Sequence, residues 1–186
     1  PNREKSLLRR HPWVFASAIQ PLDKEPASGS TVDLIAPNGS FLARASYSPT
    51  SQIRARVWTF NNDEVVDKDF FRKRIKSAIE TRQKLKAEGH SDSYRLFHSE
   101  SDGIPGLVVD RNDNTLVLQS TTAGSEFWKE TIADILVEET GLQNIYERSD
   151  ADVRELEGLK PVTGILRGTI TNYQLPIIEY DLKFNV

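Results

Sequence analysis

The chain of 186 residues, with 38% hydrophobic and 27% charged residues, has the composition of an ordinary soluble globular protein. Its net charge of −3 excludes a globally basic surface, and the absence of cysteine excludes disulfides, thiolate metal sites and a cysteine nucleophile within this sequence. Residues 1–60 carry eight Lys or Arg and four Asp or Glu, whereas residues 61–186 carry sixteen and twenty-three. Any polyanion-binding surface is therefore expected near the N-terminus.

No membrane span or targeting segment is predicted. The sequence has no run approaching the roughly 18 consecutive apolar residues of a membrane-spanning helix. Residues 1–10 are polar and basic and lack the apolar centre of a signal peptide. We therefore expect a cytoplasmic protein without membrane contact. The lack of methionine and the alternating run 181–186 suggest that both ends are cuts within a longer gene product.

The first third is predicted to be a small antiparallel β structure. A short turn of helix before Pro12 is followed by four expected strands, over residues 13–19, 31–36, 41–47 and 52–60. Pro37-Asn38-Gly39 is a strong turn signal, because Asn and Gly tolerate the positive φ that a tight hairpin requires. Short strands joined by tight turns predict a small barrel or sandwich.

From Asp67 onward the hydrophobic period becomes helical. Asp67 is a suitable N-cap and Gly89 a suitable C-terminal stop. The apolar face contains Phe71, Ile75, Ala78, Ile79 and Leu85. The opposite face is basic, and we interpret it as solvated helix surface rather than as a binding surface. Its cations are Arg72, Lys73, Lys76 and Arg82.

The remainder of the chain indicates a mixed α+β arrangement. An amphipathic helix is expected over residues 125–140, ended by Gly141, and a short helix over 151–157. Strands are expected over residues 95–99, 107–110, 115–120, 144–148, 169–174 and 177–186.

Two segments near the N-terminus interleave arginines with aromatic rings. They are Arg9–Phe15 and Ser51–Trp58. Guanidinium groups neutralise phosphates and ring faces stack on unpaired bases, so the combination favours RNA binding. In the second segment Gln52, Arg54, Arg56 and Trp58 would share one strand face. That face is either an RNA-binding stripe or a solvated face with a tryptophan covering the core.

No complete catalytic apparatus is predicted. Residues 100–111 contain two carboxylates, but Asp102-Gly103 and Pro105-Gly106 are turn dipeptides and favour a hairpin between two strands. Glu100 and Asp102 are secondary candidates for substrate contact. The three histidines lack metal-ligand spacing, and neither a phosphate-cradling glycine loop nor a nucleophile elbow is present.

Four segments, in order along nearly the whole chain, carry a family resemblance. They are Arg3–Phe15 (REKSLLRRHPWVF), Tyr47–Trp58 (YSPTSQIRARVW), Glu100–Gly106 (ESDGIPG) and Ile145–Asp150 (IYERSD). Together they resemble the N-terminal part of bacterial ribosomal RNA large-subunit methyltransferase I, a family that methylates carbon 5 of a cytosine in 23S rRNA.

The resemblance implies an α+β fold with a definite domain organisation. A small N-terminal PUA-type β-barrel, an RNA-binding domain over residues 1–65, would precede a mixed α+β middle domain over residues 66–180. Residues 181–186 would begin a Rossmann-like methyltransferase domain that is expected to be absent from this chain. S-adenosyl-L-methionine would be the cofactor of the full-length protein, with its site outside this chain, and no metal is expected.

The resemblance also implies a partner and residue roles. The expected partner is 23S ribosomal RNA, and a homodimer is suggested. No catalytic residue is expected here, because cytosine-5 chemistry uses a cysteine thiolate and the chain has no cysteine. The expected RNA contacts are Arg9, Arg10, His11, Trp13, Arg54 and Arg56. Two alternatives stay open: a stand-alone RNA-binding adaptor without enzymatic activity, and a middle domain that binds a protein partner.

Overall fold

The computed structural model describes residues 4–86, 93–170, 176–179 and 182–185. Its N-terminal part begins with a short helix, α1 (Lys5–Leu8), and forms a four-stranded antiparallel sheet in the order β1-β4-β3-β2. The strands are β1 (Trp13–Phe15), β2 (Thr31–Ile35), β3 (Phe41–Tyr47) and β4 (Ile53–Thr59). Small residues occupy the centre of this sheet, where Ala43, Ala45 and Ala55 are fully buried.

The first strand is shorter than predicted, because a 3-10 helix over Ala16–Ala18 interrupts the apolar run. The other three strands lie close to their predicted positions, and Gly39 has the positive φ expected of the turn between β2 and β3. Pairing runs from β1 to β2 through the two central strands, and the described pairings do not close the sheet on itself. Where the sequence predicts a small barrel or sandwich, the described strands form an open four-stranded sheet.

The second part of the chain contains a five-stranded sheet in the order β5-β6-β7-β8-β9. The long helix α2 (Lys68–Lys86) precedes it. Its strands are β5 (Ser93–His98), β6 (Leu107–Asn112), β7 (Thr115–Ser120), β8 (Asn144–Ser149) and β9 (Val162–Arg167). All neighbouring pairs are antiparallel except β7 and β8. A separate hairpin pairs β10 (Pro176–Glu179) with β11 (Leu182–Asn185).

Two helices make the crossover between the parallel strands β7 and β8. They are α3 (Ala123–Phe127) and α4 (Lys129–Thr140), where the sequence predicts one continuous helix. Thr122 caps α3 through a capping box with Ser125, and Gly141 ends α4 in the left-handed conformation. The crossover therefore begins and ends on capping residues.

Helices α2 and α4 pack on one face of the five-stranded sheet and form the main core. Phe71 and Ile75 of α2, Ile132 and Leu136 of α4, and Leu118 of β7 are all essentially inaccessible to solvent. Trp58 of β4 belongs to the same cluster, with its ring perpendicular to that of Phe71 at 5.5 Å. The N-terminal sheet thus contributes a side chain to the core of the second part.

The predicted fold class, which excludes Rossmann-like architecture from this chain, needs correction. The parallel strands β7 and β8 with their helical crossover form a β-α-β unit, the unit from which Rossmann-like sheets are built, inside a five-stranded mixed sheet. Hydrophobic periodicity missed this arrangement because it locates strands without giving their relative direction.

Smaller differences between prediction and structure concern single strands and helix ends. Strand β9 was not predicted, and the run 177–186 forms two strands rather than one. The helix stop predicted at Gly89 and residues 171–174 of a predicted strand lie outside the described residues. Among the helices that the structure describes, none combines the length and apolarity needed to cross a bilayer.

Candidate nucleic-acid interface

The segment that follows α1 presents two arginines to solvent. Arg10 has a φ of 60°, in the left-handed region, and this turns the chain between α1 and β1. Its guanidinium lies 5.6 Å from the centre of the Phe60 ring, within cation–π range. Arg9 and Arg10 are both exposed, and neither forms an ion pair with a residue that the structure describes. Both charges are therefore available to an anionic ligand.

His11 and Trp13 lie next to these arginines. Their rings are nearly perpendicular with centres 5.9 Å apart, and the Trp13 backbone N–H donates to His11 Nδ1 at 3.2 Å. Trp13 is 37% exposed although it begins a strand. An aromatic ring accessible to solvent beside unpaired cations can stack on an unpaired base.

The indole of Trp13 is held by a residue from the second part of the chain. Its Nε1 donates to Glu100 Oε1 at 2.7 Å. Glu100 lies on the 3-10 turn Ser99–Asp102, where the Ser99 hydroxyl donates to its other oxygen and in turn accepts the Gly106 N–H at 2.8 Å. The turn between β5 and β6 therefore fixes the ring that the N-terminal segment exposes.

The Glu100 carboxylate is ionised at neutral pH. Burial raises its pKa, but hydrogen bonds from Ser99 and Trp13 and the charge of Arg56 lower it, and the net pKa is below that of an ordinary glutamate. The carboxylate therefore acts as a hydrogen-bond acceptor for the indole.

Acidification is expected to release Trp13. The pKa of Glu100 is lower in the folded protein than in the unfolded chain. The ionised carboxylate therefore stabilises the fold above the ordinary glutamate pKa, and this stabilisation is lost as the pH falls through the pKa of the folded state. Tryptophan emission between pH 7 and pH 3 should show this titration. It should be missing from Glu100→Gln and Trp13→Phe, and its persistence in both variants would contradict the assignment.

The predicted stripe on β4 does not form a surface. Exposure falls along it: Gln52 is exposed and Arg54 is half-buried, whereas Arg56 is 8% and Trp58 3% exposed. The tryptophan lies in the core, as the second interpretation of this segment expected. Arg54 stays accessible and forms no ion pair with a described residue.

Arg56 connects the two sheets instead of facing solvent. Its Nη1 lies 2.6 Å from Glu157 Oε1, and Glu157 Oε2 accepts the backbone N–H of Ala123 at 3.1 Å. The structure thus brings Arg9, Arg10, His11 and Trp13 together on one accessible segment and leaves Arg56 in a buried ion pair.

A cleft that sequence reasoning missed opens beside Glu100. It has a volume of about 480 Å³ and lies between α2 and the 99–103 turn. The basic face of α2, interpreted from sequence as solvated, supplies one wall. The signal was present in the ESDGIPG segment, but spacing alone could not place that turn against the helix.

The described residues do not fit a cofactor site at the start of the β7–β8 crossover. Ligands of Rossmann-like sheets bind outside the carboxyl ends of the strands, where helix N-terminal N–H groups are free. Here Glu157 accepts the Ala123 N–H, and Thr122 accepts the Ser125 N–H. The two glycines of the 103–106 turn also donate internally, to Glu100 and Ser99. Within the described ranges, no cluster of three His, Cys, Asp or Glu suited to a metal is found.

Comparisons with known proteins agree with the resemblance seen in the sequence. A PUA-like domain family matches residues 1–60. The chain is 46% identical over 186 residues to ribosomal RNA large subunit methyltransferase I of Shewanella amazonensis, covering 100% of the chain and 47% of that protein. A protein of the same name from Yersinia pseudotuberculosis is 46% identical over 184 residues, with 46% of its length covered. The chain thus spans about half the length of the curated relatives it matches.

Solved structures show the same relationship at the level of the fold. A protein of Streptococcus mutans described as a SAM-dependent methyltransferase matches 98% of the chain and 46% of its own, with a TM-score of 0.79 and 17% identity. A methyltransferase structure described as a complex with SAH matches with a TM-score of 0.81, also at 17% identity and 98% coverage of this chain. These matches, with the mixed sheet, overturn the prediction that Rossmann-like architecture is absent from this chain. The resemblance itself is confirmed: along its whole length this chain is related to proteins named ribosomal RNA large subunit methyltransferase I, and its first sixty residues match the PUA-like domain family.

Proposed function

We propose that this chain is the RNA-recognition part of an S-adenosylmethionine-dependent 23S rRNA cytosine-5 methyltransferase. The observation that carries the proposal is the exposed segment in which Arg9 and Arg10, neither ion-paired to a described residue, adjoin the solvent-accessible ring of Trp13. The arginines would neutralise phosphates, and Trp13 or His11 would stack on a base. Arg54 would extend this surface along β4.

The domain organisation of the proposal follows the sequence. Residues 1–65 would bind RNA, and residues 66–180 would set the distance between the bound RNA and the active site. Identity of 46% along the whole chain to named methyltransferases favours this function over a stand-alone adaptor. The homodimer suggested by the resemblance stays a prediction.

The same proposal assigns no chemical step to this chain. Carbon 5 of cytosine becomes nucleophilic when a thiolate adds to carbon 6, and this sequence contains no cysteine. The chain alone is therefore expected to bind RNA without methylating it, even when S-adenosylmethionine is supplied. Methyl transfer by the isolated chain would contradict this part of the proposal.

RNA affinity should depend on the two arginines. Titrating the chain with a 23S rRNA segment should show that the Arg9→Ala, Arg10→Ala double variant binds about tenfold more weakly near 0.1 M salt. Losing two phosphate contacts should also reduce the slope of log K against log salt by about 1.4–1.8, because each contact releases a fixed number of counterions.

A matched control removes two charges elsewhere. Arg148 and Lys160 are both exposed in the second part of the chain, and the Arg148→Ala, Lys160→Ala double variant should stay within about twofold of the parent. Equal losses in both double variants, or binding that does not respond to salt, would count against the proposed site.

A further inference from the structure

The cleft beside Glu100 has the size and polarity of a ligand site. Its volume of about 480 Å³ falls within the roughly 300–1,000 Å³ of small-molecule sites. It is lined by the α2 residues Lys73, Arg74, Ser77, Ala78, Thr81 and Arg82, and by the turn residues Glu100, Ser101, Asp102 and Gly103. Charged side chains and hydroxyls are thus among the groups that line the space.

Both arginines in the wall are held by contacts with the protein itself. Arg82 donates to both oxygens of Asp102, at 2.8 and 2.7 Å. Arg74 donates to the carbonyls of Gly103 and Trp58, at 3.1 and 3.0 Å, and lies 3.5 Å from the centre of the Phe70 ring. These contacts fix the walls before any ligand arrives, which lowers the entropic cost of binding.

The third cation of the cleft is held less firmly, although its charge helps to lower the pKa of Glu64. Lys73 is exposed, and it forms no hydrogen bond or ion pair with the residues that the structure describes. It belongs to the α2 face that carries the exposed Ser77, one turn further on. An ammonium group in this position can bind a phosphate.

The cleft is continuous with the proposed RNA-binding segment through Glu100. One Glu100 oxygen binds the Trp13 indole at 2.7 Å, and the residue also lines the cleft. A strand of RNA held by Arg9 and Arg10 would therefore pass the accessible ring of Trp13 as it reaches the cleft.

We propose that the cleft receives one unpaired nucleotide of the bound RNA, with its base against Trp13 and its phosphate at Lys73. This inference rests on the proposed function, and it extends the RNA-binding surface from the N-terminal sheet onto α2. RNA-binding proteins recognise unpaired nucleotides by aromatic stacking combined with neutralisation of the phosphates. Lys73 lines the cleft, and Trp13 lies beside it, hydrogen-bonded to the lining residue Glu100.

The test compares three versions of one 23S rRNA hairpin: fully paired, with a single bulged nucleotide, and with the bulged nucleotide abasic. Fluorescence anisotropy with the whole chain should give about tenfold tighter binding of the bulged hairpin than of the other two, as expected for one stacked base. Lys73→Ala and Trp13→Ala should each reduce this preference to about twofold or less. Lys76→Ala is the matched control, because Lys76 is an exposed lysine of α2 that does not line the cleft, and it should retain the preference.

The outcomes separate this inference from the proposed function. If Lys73→Ala keeps the preference while the Arg9→Ala, Arg10→Ala double variant still weakens all binding, the cleft assignment is overturned and the proposed function stands. If Lys73→Ala and Lys76→Ala lose the preference for the bulged hairpin equally, that preference comes from the general positive charge of α2. The cleft assignment is then overturned as well. If none of these variants changes RNA affinity, both proposals fail and a protein ligand becomes the better account of the cleft.

Discussion

Glu157→Ala is expected to destabilise the folded chain by about 3–5 kcal/mol, the cost of removing one partner from a buried ion pair. The side chain of Glu157 is almost completely buried and binds Arg56 Nη1 at 2.6 Å. It also accepts the backbone N–H of Ala123, the first residue of α3. The variant would remove the carboxylate that neutralises the buried Arg56 guanidinium, which would keep the Ile53 carbonyl at 3.5 Å. It would also leave the Ala123 N–H without this acceptor, and both losses cost desolvation energy. Urea unfolding followed by circular dichroism measures the change.

Three further variants isolate the reason for that loss. Glu157→Gln keeps the size and one acceptor oxygen, so it should lose less stability than Glu157→Ala. Replacing both partners, as in Arg56→Met with Glu157→Leu, should recover much of the loss, because no charge is then buried alone. Asp150→Ala removes an exposed pair with Arg148 at 3.9 Å and should change stability by less than about 1 kcal/mol. A loss of similar size in Asp150→Ala would contradict the argument.

Arg154→Ala should cost a similar amount, about 3–5 kcal/mol, because the most buried cation of the described chain ties together three separate segments. Its side chain is 1% exposed. It donates to the Ser120 carbonyl at the end of β7, to Glu126 Oε2 at 3.0 Å, and to the Lys160 carbonyl from both Nε and Nη2, at 3.0 and 2.8 Å. Thermal and urea unfolding should both report the loss.

The geometry of the guanidinium provides the control for this second variant. Arg154→Lys keeps the charge but cannot reach three acceptors with a planar fork, so it should recover only part of the stability. Glu155 is exposed on the same 3-10 turn, and Glu155→Ala should stay within about 0.5 kcal/mol of the parent. An Arg154→Ala variant as stable as Glu155→Ala would show that the buried Arg154 guanidinium does not hold the three segments together.

Local patterns were sufficient to locate most elements of this fold. Alternation placed β3 and β4, helical spacing placed α2, and Gly141 ended α4 where a left-handed residue was expected. Pairing direction was beyond the same patterns, since the parallel contact of β7 with β8 depends on how the crossover packs. The break at Trp128 was also not visible, because the apolar face continues through it.

The candidate site was predictable only where neighbours in sequence are also neighbours in space. Arg9, Arg10, His11 and Trp13 form one continuous segment, so the sequence brought them together. Arg56 looked equivalent to Arg54 by alternation, yet its buried partner is 101 residues away and no local pattern indicates it. The contact of Trp13 with Glu100, across 87 residues, was hidden for the same reason.

Because of Trp58, the region that matches the PUA-like family does not coincide with a region that packs independently. The PUA-like match ends at residue 60. The indole of Trp58 nevertheless packs against Phe70 and Phe71 of the following helix, and the Trp58 backbone carbonyl accepts a hydrogen bond from Arg74. Excising residues 1–60 would strip this ring of its neighbours and leave a large apolar surface exposed to water. The PUA-like region of this chain is therefore expected to depend on α2 for its stability.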